Sequence, residues 1–117
     1  MTEPGAINSE ALEDLLEAVG GDQAFLAELI DTYLEDSPNQ LAAIQSALVT
    51  GEVEELRRAA HSLKSNSASF GAQNLAQLCR ELEESARRRE LDEAAGRVAQ
   101  ILAEYQKVKQ ALVSVKP

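Results

Sequence analysis

The sequence predicts an all-α fold: an antiparallel up-down four-helix bundle with an additional N-terminal helix or helices. Three observations lead there. Leu, Ala, Glu, Gln and Arg, all strong helix formers, dominate a chain with only three prolines and six glycines. Apolar residues recur at three- and four-residue spacing through successive segments, and no stretch alternates convincingly with period two. The connections between these segments are short, which makes consecutive helices antiparallel neighbours. A chain of 117 residues is one domain's worth. It is 44% hydrophobic with two Tyr, two Phe and no Trp, so its core must be built from Leu, Ala, Ile and Val.

Residues 1–7 read as a disordered lead-in, followed by a single helical domain over 8–117. The first helix starts at Asn8 or Ser9, both good N-cap types. It runs through Leu12, Leu15, Leu16 and Val19 to a stop at Gly20-Gly21. Asp22 caps the second, whose apolar face is Phe25, Leu26, Leu29, Ile30 and Leu34. At Ser37-Pro38-Asn39-Gln40 the pattern reads as a restart, with Ser37 as N-cap, Pro38 in the first helical position and Gln40 closing a capping box. One longer helix kinked at Pro38 is the alternative. Leu41, Ile44, Ala47 and Leu48 continue inward as far as Thr50-Gly51. The next helix spans about 52–69 and ends near Gly71, a residue type suited to a left-handed turn. Leu75, Leu78, Cys79, Leu82 and Ala86 mark a helix over about 72–89. After a break near Arg89-Glu90, a last helix runs over about 91–113 with Leu91, Ala95, Val98, Ile101, Leu102, Tyr105, Val108 and Leu112 at helical spacing.

The bulk numbers exclude several function classes. One cysteine permits no intramolecular disulfide and no zinc ligand set. No apolar run is long enough to span a bilayer, and the polar, acidic N-terminus lacks the features of a signal peptide. The expectation is a cytoplasmic, soluble protein, or a soluble piece of something larger, with no direct membrane contact. Net charge is −9, which makes nucleic acid an unsuitable partner. The charge is segregated: residues 1–56 hold thirteen Asp or Glu and no Lys or Arg, while 57–117 hold all eleven cations and seven acids. The acids alone serve solubility; the local positive zone that opens at Arg57 can steer an acidic partner surface.

That zone surrounds the only histidine. Projected on a helix at about 100° per residue, Val53, Leu56, Ala60, Leu63 and Ser67 form one stripe. His61 falls roughly opposite, among Arg57, Lys64, Ser65 and Ala68. An imidazole displayed among cations and small side chains suits a group that another protein must reach. The serines at 62, 65, 67 and 69 offer no hydrolase triad, since neither a nucleophile elbow nor an oxyanion loop accompanies them. There is no metal-ligand cluster, Gly-rich phosphate loop or Walker lysine. Cys79 lies on an apolar stripe and reads as a core residue. Arg87-Arg88-Arg89 at a helix C-terminus is sufficiently explained by the helix dipole. Glu83 flanks its helix's apolar stripe. A hairpin about Gly71 puts positions 61 and 83 at similar heights, ten and twelve residues from the turn. On geometry alone, an ordinary solvated carboxylate is a better account of Glu83 than a functional role. A phosphoryl group carries close to two negative charges, and Lys64, one turn beyond His61, lies within its reach.

Ala60-His61-Ser62-Leu63-Lys64-Ser65, Gly71 ten residues after the histidine, and Leu78-Cys79-Arg80-Glu81-Leu82-Glu83 resemble the signature of histidine-containing phosphotransfer (HPt) domains. The resemblance covers nearly the whole chain. Ser65 stands where many members have Gly, a departure that touches docking detail more than identity. The resemblance implies a four-helix bundle that exchanges a phosphoryl group between Nε2 of an exposed histidine and an aspartate of receiver domains, in response regulators or hybrid histidine kinases. Carried onto this chain, it makes His61 the phospho-acceptor and Lys64 the group that neutralises phosphoryl charge. Glu83 becomes the partner of the other imidazole nitrogen, fixing the tautomer. Arg57, Ser65, Ala68, Gly71 and Arg80 complete the expected partner-binding set, with Gly71 and Ser65 keeping the surface low. The domain is then a carrier rather than an enzyme, with no cofactor of its own and Mg²⁺ supplied by the receiver. Two other classes remain: a helical adaptor that binds receivers or kinases without transfer, and a ligand-binding bundle supported only by the apolar stripes.

Overall fold

Asn8 and Asp22 open the first two helices in the computed structural model, which describes residues 5–117. Asn8 Oδ1 accepts from the amides of Glu10 and Ala11, and Asp22 Oδ1 from that of Phe25. These caps start α1 (Ser9–Ala18) and α2 (Gln23–Thr50), followed by α3 (Val53–Ser69), α4 (Gln73–Arg87) and α5 (Ala94–Val115). Among the described residues there is no strand. Residues 1–4 of the expected lead-in lie outside the described residues, whereas Ala6 and Ile7 pack against the core. This part of the lead-in is therefore not the free tail its composition suggested, because two apolar side chains find a surface to bury against.

The bundle consists of α2–α5. Helix α3 packs on α2 and α4, and α5 on α4 and α2, so the four close a ring with short turns between consecutive members. Helix α2 sets its length: 28 residues at about 1.5 Å each match the 43 Å long dimension of the molecule. Ile30, Ile44, Leu56, Leu63, Leu75, Leu82, Ile101, Val108 and Leu112 are fully buried, and Cys79 joins them as a core residue. Burial of each such side chain is worth about 1.5–3 kcal/mol.

The expected restart at Ser37 does not occur. Helix α2 runs through Pro38 without interruption. Ser37 is no cap but a buried residue whose Oγ donates to the Tyr33 carbonyl at 2.6 Å. That leaves the Tyr105 hydroxyl as donor to Ser37 Oγ, also at 2.6 Å. A proline inside a helix forfeits one backbone bond and costs about 3 kcal/mol; here the hydroxyl chain from α5 and the burial of Leu41 and Ile44 just beyond hold the helix together. Gln40 accordingly lies mid-helix rather than in a capping box.

The α3–α4 turn is formed at Gly71, whose φ of +73° is the left-handed conformation expected for it. Its surroundings were not expected. Gly71 is buried beneath α1, its carbonyl accepting from the Asn8 amide at 2.9 Å. A Cβ there would lie 2.7 Å from Ala11 Cβ and 2.9 Å from Asn8 backbone atoms. Helix α4 ends at Arg87, with Arg89 in the left-handed region at φ 58°, and α5 starts at Ala94, slightly later than the periodicity suggested.

Candidate functional site

Helix α3 places His61 and Lys64 one turn apart on the face away from Ala60 and Leu63, both fully buried. The turn at Gly71 returns α4 antiparallel beside it, and Glu83 arrives level with the histidine. Glu83 Oε2 lies 2.8 Å from His61 Nδ1, and its Oε1 lies 2.6 Å from Lys64 Nζ. The His61 side chain is 55% exposed, against 28% for Lys64 and 18% for Glu83. The ring is thus offered to solvent on a support that is largely sheltered.

The protonation pattern follows from the partners. Burial alone raises the Glu83 carboxyl, but hydrogen bonds from Lys64 and His61 outweigh it and hold the group below the ordinary carboxylate range. An ionised carboxylate only accepts, so Nδ1–H is the donor of the 2.8 Å bond. In the neutral ring Nε2 then carries the lone pair. Beneath the site, burial pushes the Cys79 thiol up to about 12, which leaves it inert.

Arg57, one turn before His61, is held by Glu54, with Nε 3.1 Å from Oε1. The Glu54 carboxylate, and more weakly Glu83, keep its guanidinium charged. Lys64, Ser65, Ala68 and Arg80 line an open groove of about 550 Å³ between α3 and α4, together with Gln73, Ala76 and Gln77. Three of the expected partner residues, Ser65, Ala68 and Arg80, therefore share one groove with Lys64, and Arg57 lies on α3 one turn before His61. Gly71 does not join them. Covered by α1, it cannot lower the docking surface, and its small size serves the packing of Asn8 and Ala11 instead. Gln73, Ala76 and Gln77 went unnoticed in the sequence, although they stand at helical spacing before Arg80 on the same face. The direct Lys64–Glu83 pair joins two helices, so spacing along one helix does not reveal it.

The Hpt domain family model matches residues 28–111. The chain belongs to this family and is a histidine phosphocarrier of the phosphorelay type. It is similar to the phosphorelay protein LuxU of Vibrio harveyi, 25% identical over 97 residues, which are 83% of each chain. The crystal structure of histidine-containing phosphotransfer protein B (HptB) of Pseudomonas aeruginosa aligns with a TM-score of 0.89 at 33% identity, covering 97% of this chain and 96% of that one. The maize histidine-containing phosphotransfer protein ZmHP2 shares the fold, with a TM-score of 0.80 at 21% identity over 97% of this chain and 91% of its own.

Proposed function

We propose that His61 is the residue that carries the phosphoryl group, bonded through Nε2, and that it exchanges the group with an aspartate of a receiver domain. The observation that carries this reading is the bond from Nδ1–H to Glu83 on a ring that is otherwise exposed. It leaves Nε2 as the unprotonated, accessible nitrogen. In the accepting direction, Nε2 forms a bond to phosphorus as the bond from phosphorus to the aspartyl oxygen breaks. The aspartate leaves as a carboxylate, and the proton on Nδ1 stays in place, where Glu83 offsets the positive charge that develops on the ring. Donation to a second receiver reverses these steps.

Lys64 has three N–H donors. One is directed at Glu83, and another can meet a phosphoryl oxygen. Arg57 and Arg80 add positive charge to the face that an acidic receiver surface approaches. Phosphoryl transfer depends mainly on positioning and charge stabilisation, so the domain acts as a carrier, and Mg²⁺ belongs to the receiver. The test is incubation with a phosphorylated receiver domain. The chain should acquire an acid-labile, alkali-stable label that His61→Gln abolishes; a label retained by His61→Gln would contradict the assignment.

A further inference from the structure

Helices α1 to α4 end in the same way. The residue just past each closing turn donates its amide to a carbonyl five positions back: Gly21 to Leu16, Glu52 to Ala47, Ala72 to Ser67 and Glu90 to Ser85. Such a closure needs a left-handed residue before the donor. The first three turns place glycine there, at 20, 51 and 71, and the fourth places Arg89 at φ 58°. Among the described residues, Arg89 is the one residue other than glycine with a positive φ. A Cβ in that conformation crowds the following carbonyl, so this turn carries strain that a glycine would relieve.

No ion pair inside the fold offsets that strain. Arg57 has Glu54 within salt-bridge distance, Arg87 and Arg88 share Glu84, and Arg97 has Glu81. Arg89 is exposed and makes no salt bridge among the described residues. The C-terminus of α4, which favours cations, already has Arg87 and Arg88.

We propose that Arg89 is a docking residue, a cation held out on the α4–α5 turn to meet carboxylates at the rim of the receiver domain that docks over His61. This rests on the phosphocarrier reading and extends its docking face beyond Arg57 and Arg80. Position supports it. Arg57 holds the Glu54 carboxyl below its ordinary range, chiefly through their hydrogen bond, and Arg89 adds to the effect at longer range. Glu54 in turn stands about 10 Å along α3 from His61, at about 1.5 Å per residue. A partner footprint of about 800 Å² reaches roughly 16 Å from its centre, so Arg89 lies near the edge of one centred on the histidine. The backbone there is fixed, with the Arg89 amide donating to the Ala86 carbonyl at 3.0 Å, and a cation on a fixed turn loses less entropy on docking. The receiver supplies the opposite charge: an aspartate phosphorylated with Mg²⁺ needs further carboxylates to hold the ion. A charge at the rim of an interface acts mainly on encounter and on salt dependence.

The test uses a receiver domain that labels the wild-type chain, loaded on its aspartate with acetyl phosphate. Transfer is measured to saturation for wild type, Arg89→Gln, Arg89→Lys and Arg89→Gly. Arg89→Gln removes the charge and keeps the left-handed side chain. Its KM should rise about threefold with kcat unchanged, the size expected of one exposed ion pair, and the gap should close as ionic strength approaches about 0.5 M. Arg89→Lys should restore the wild-type KM. Arg89→Gly should share the raised KM of Arg89→Gln, yet its folding equilibrium constant from urea unfolding should be about fivefold higher than that of Arg89→Gln, because the left-handed strain is gone. The inference is overturned if KM is unchanged in Arg89→Gln and Arg89→Gly, if Arg89→Lys behaves as Arg89→Gln does, or if Arg89→Gly folds no more stably than Arg89→Gln. A loss that also appears with phosphoramidate, a donor too small to dock, places the defect at His61 and overturns it as well. If no receiver labels wild type, the phosphocarrier reading itself fails and the inference falls with it, a result visible before any variant is compared.

Discussion

Glu83 shows how much of the site rests on one side chain. Its carboxylate joins two helices, receives a proton donor on each oxygen and is mostly sheltered from solvent. Glu83→Ala should leave the bundle folded but slow phosphoryl acceptance on the order of tenfold, equivalent to about 1.4 kcal/mol in the barrier; stopped-flow or rapid-quench transfer assays measure it. The pH dependence of stability has a definite sign. The folded-state value of Glu83 lies below its ordinary 4.5, so its stabilising contribution is complete above that pH. It is lost as pH falls through the depressed value. Urea unfolding of wild type and Glu83→Gln should therefore differ at neutral pH and converge in acid. A gap that widened below pH about 4.5 would reverse the assignment of the shift. The identities of His61 and Lys64 were legible because periodicity places them on the face opposite a core stripe. Glu83 was only half legible. Its height beside His61 followed from counting residues from Gly71, but the contact itself depends on how closely α3 and α4 approach, which spacing does not encode.

At the scale of elements, α2 and the α3–α4 turn depart most from local expectation, and for the same reason. A motif of four or five residues cannot show what packs on it from far along the chain. Ser37-Pro38-Asn39-Gln40 has the chemistry of a helix start, yet Tyr105, 68 residues away, reaches Ser37 and the helix continues. Tyr105→Phe removes that donor and should cost about 1 kcal/mol. Ser37→Ala should cost more, because the Tyr105 hydroxyl is then left buried without its acceptor. Thermal unfolding of the two variants gives their order. Gly71 satisfied its predicted backbone conformation while its role changed from docking surface to seat for α1. Gly71→Ala meets both the left-handed penalty of about 1–2 kcal/mol and a clash with Ala11 and Asn8. It should lower stability by at least that amount and speed amide exchange in α1, while phosphorylation of His61 by a small donor continues. Helix limits elsewhere were legible because their signals are local: Asn8 and Asp22 cap, and Gly51 ends α2 in a left-handed conformation.

Over the whole molecule, charge is divided as the sequence shows. Every charged residue of α1 and α2 is acidic, and the cations lie on α3, α4 and α5 or just past the ends of α4 and α5. Among the described residues, no helix is long and apolar enough to cross a membrane. The fold uses a ring of four helices to hold one imidazole in the open, and in the proposed function Arg57 and Arg80 meet the incoming receiver. Transfer from a receiver should slow as ionic strength rises from about 0.05 to 0.5 M, because screening shortens the range of that attraction. Arg80→Ala should weaken the salt dependence while changing stability by no more than about 0.5 kcal/mol. The fold class was legible from composition and period alone, since helix formers and short turns admit few other packings. The central claim is that the phosphoryl group resides on Nε2 of His61 while Nδ1–H remains with Glu83. Phosphorus-coupled nitrogen NMR of the phosphorylated, ¹⁵N-labelled protein tests it most directly. The account predicts coupling of phosphorus to Nε2 of His61; coupling to Nδ1, or a phosphoryl group on any other residue, would contradict it.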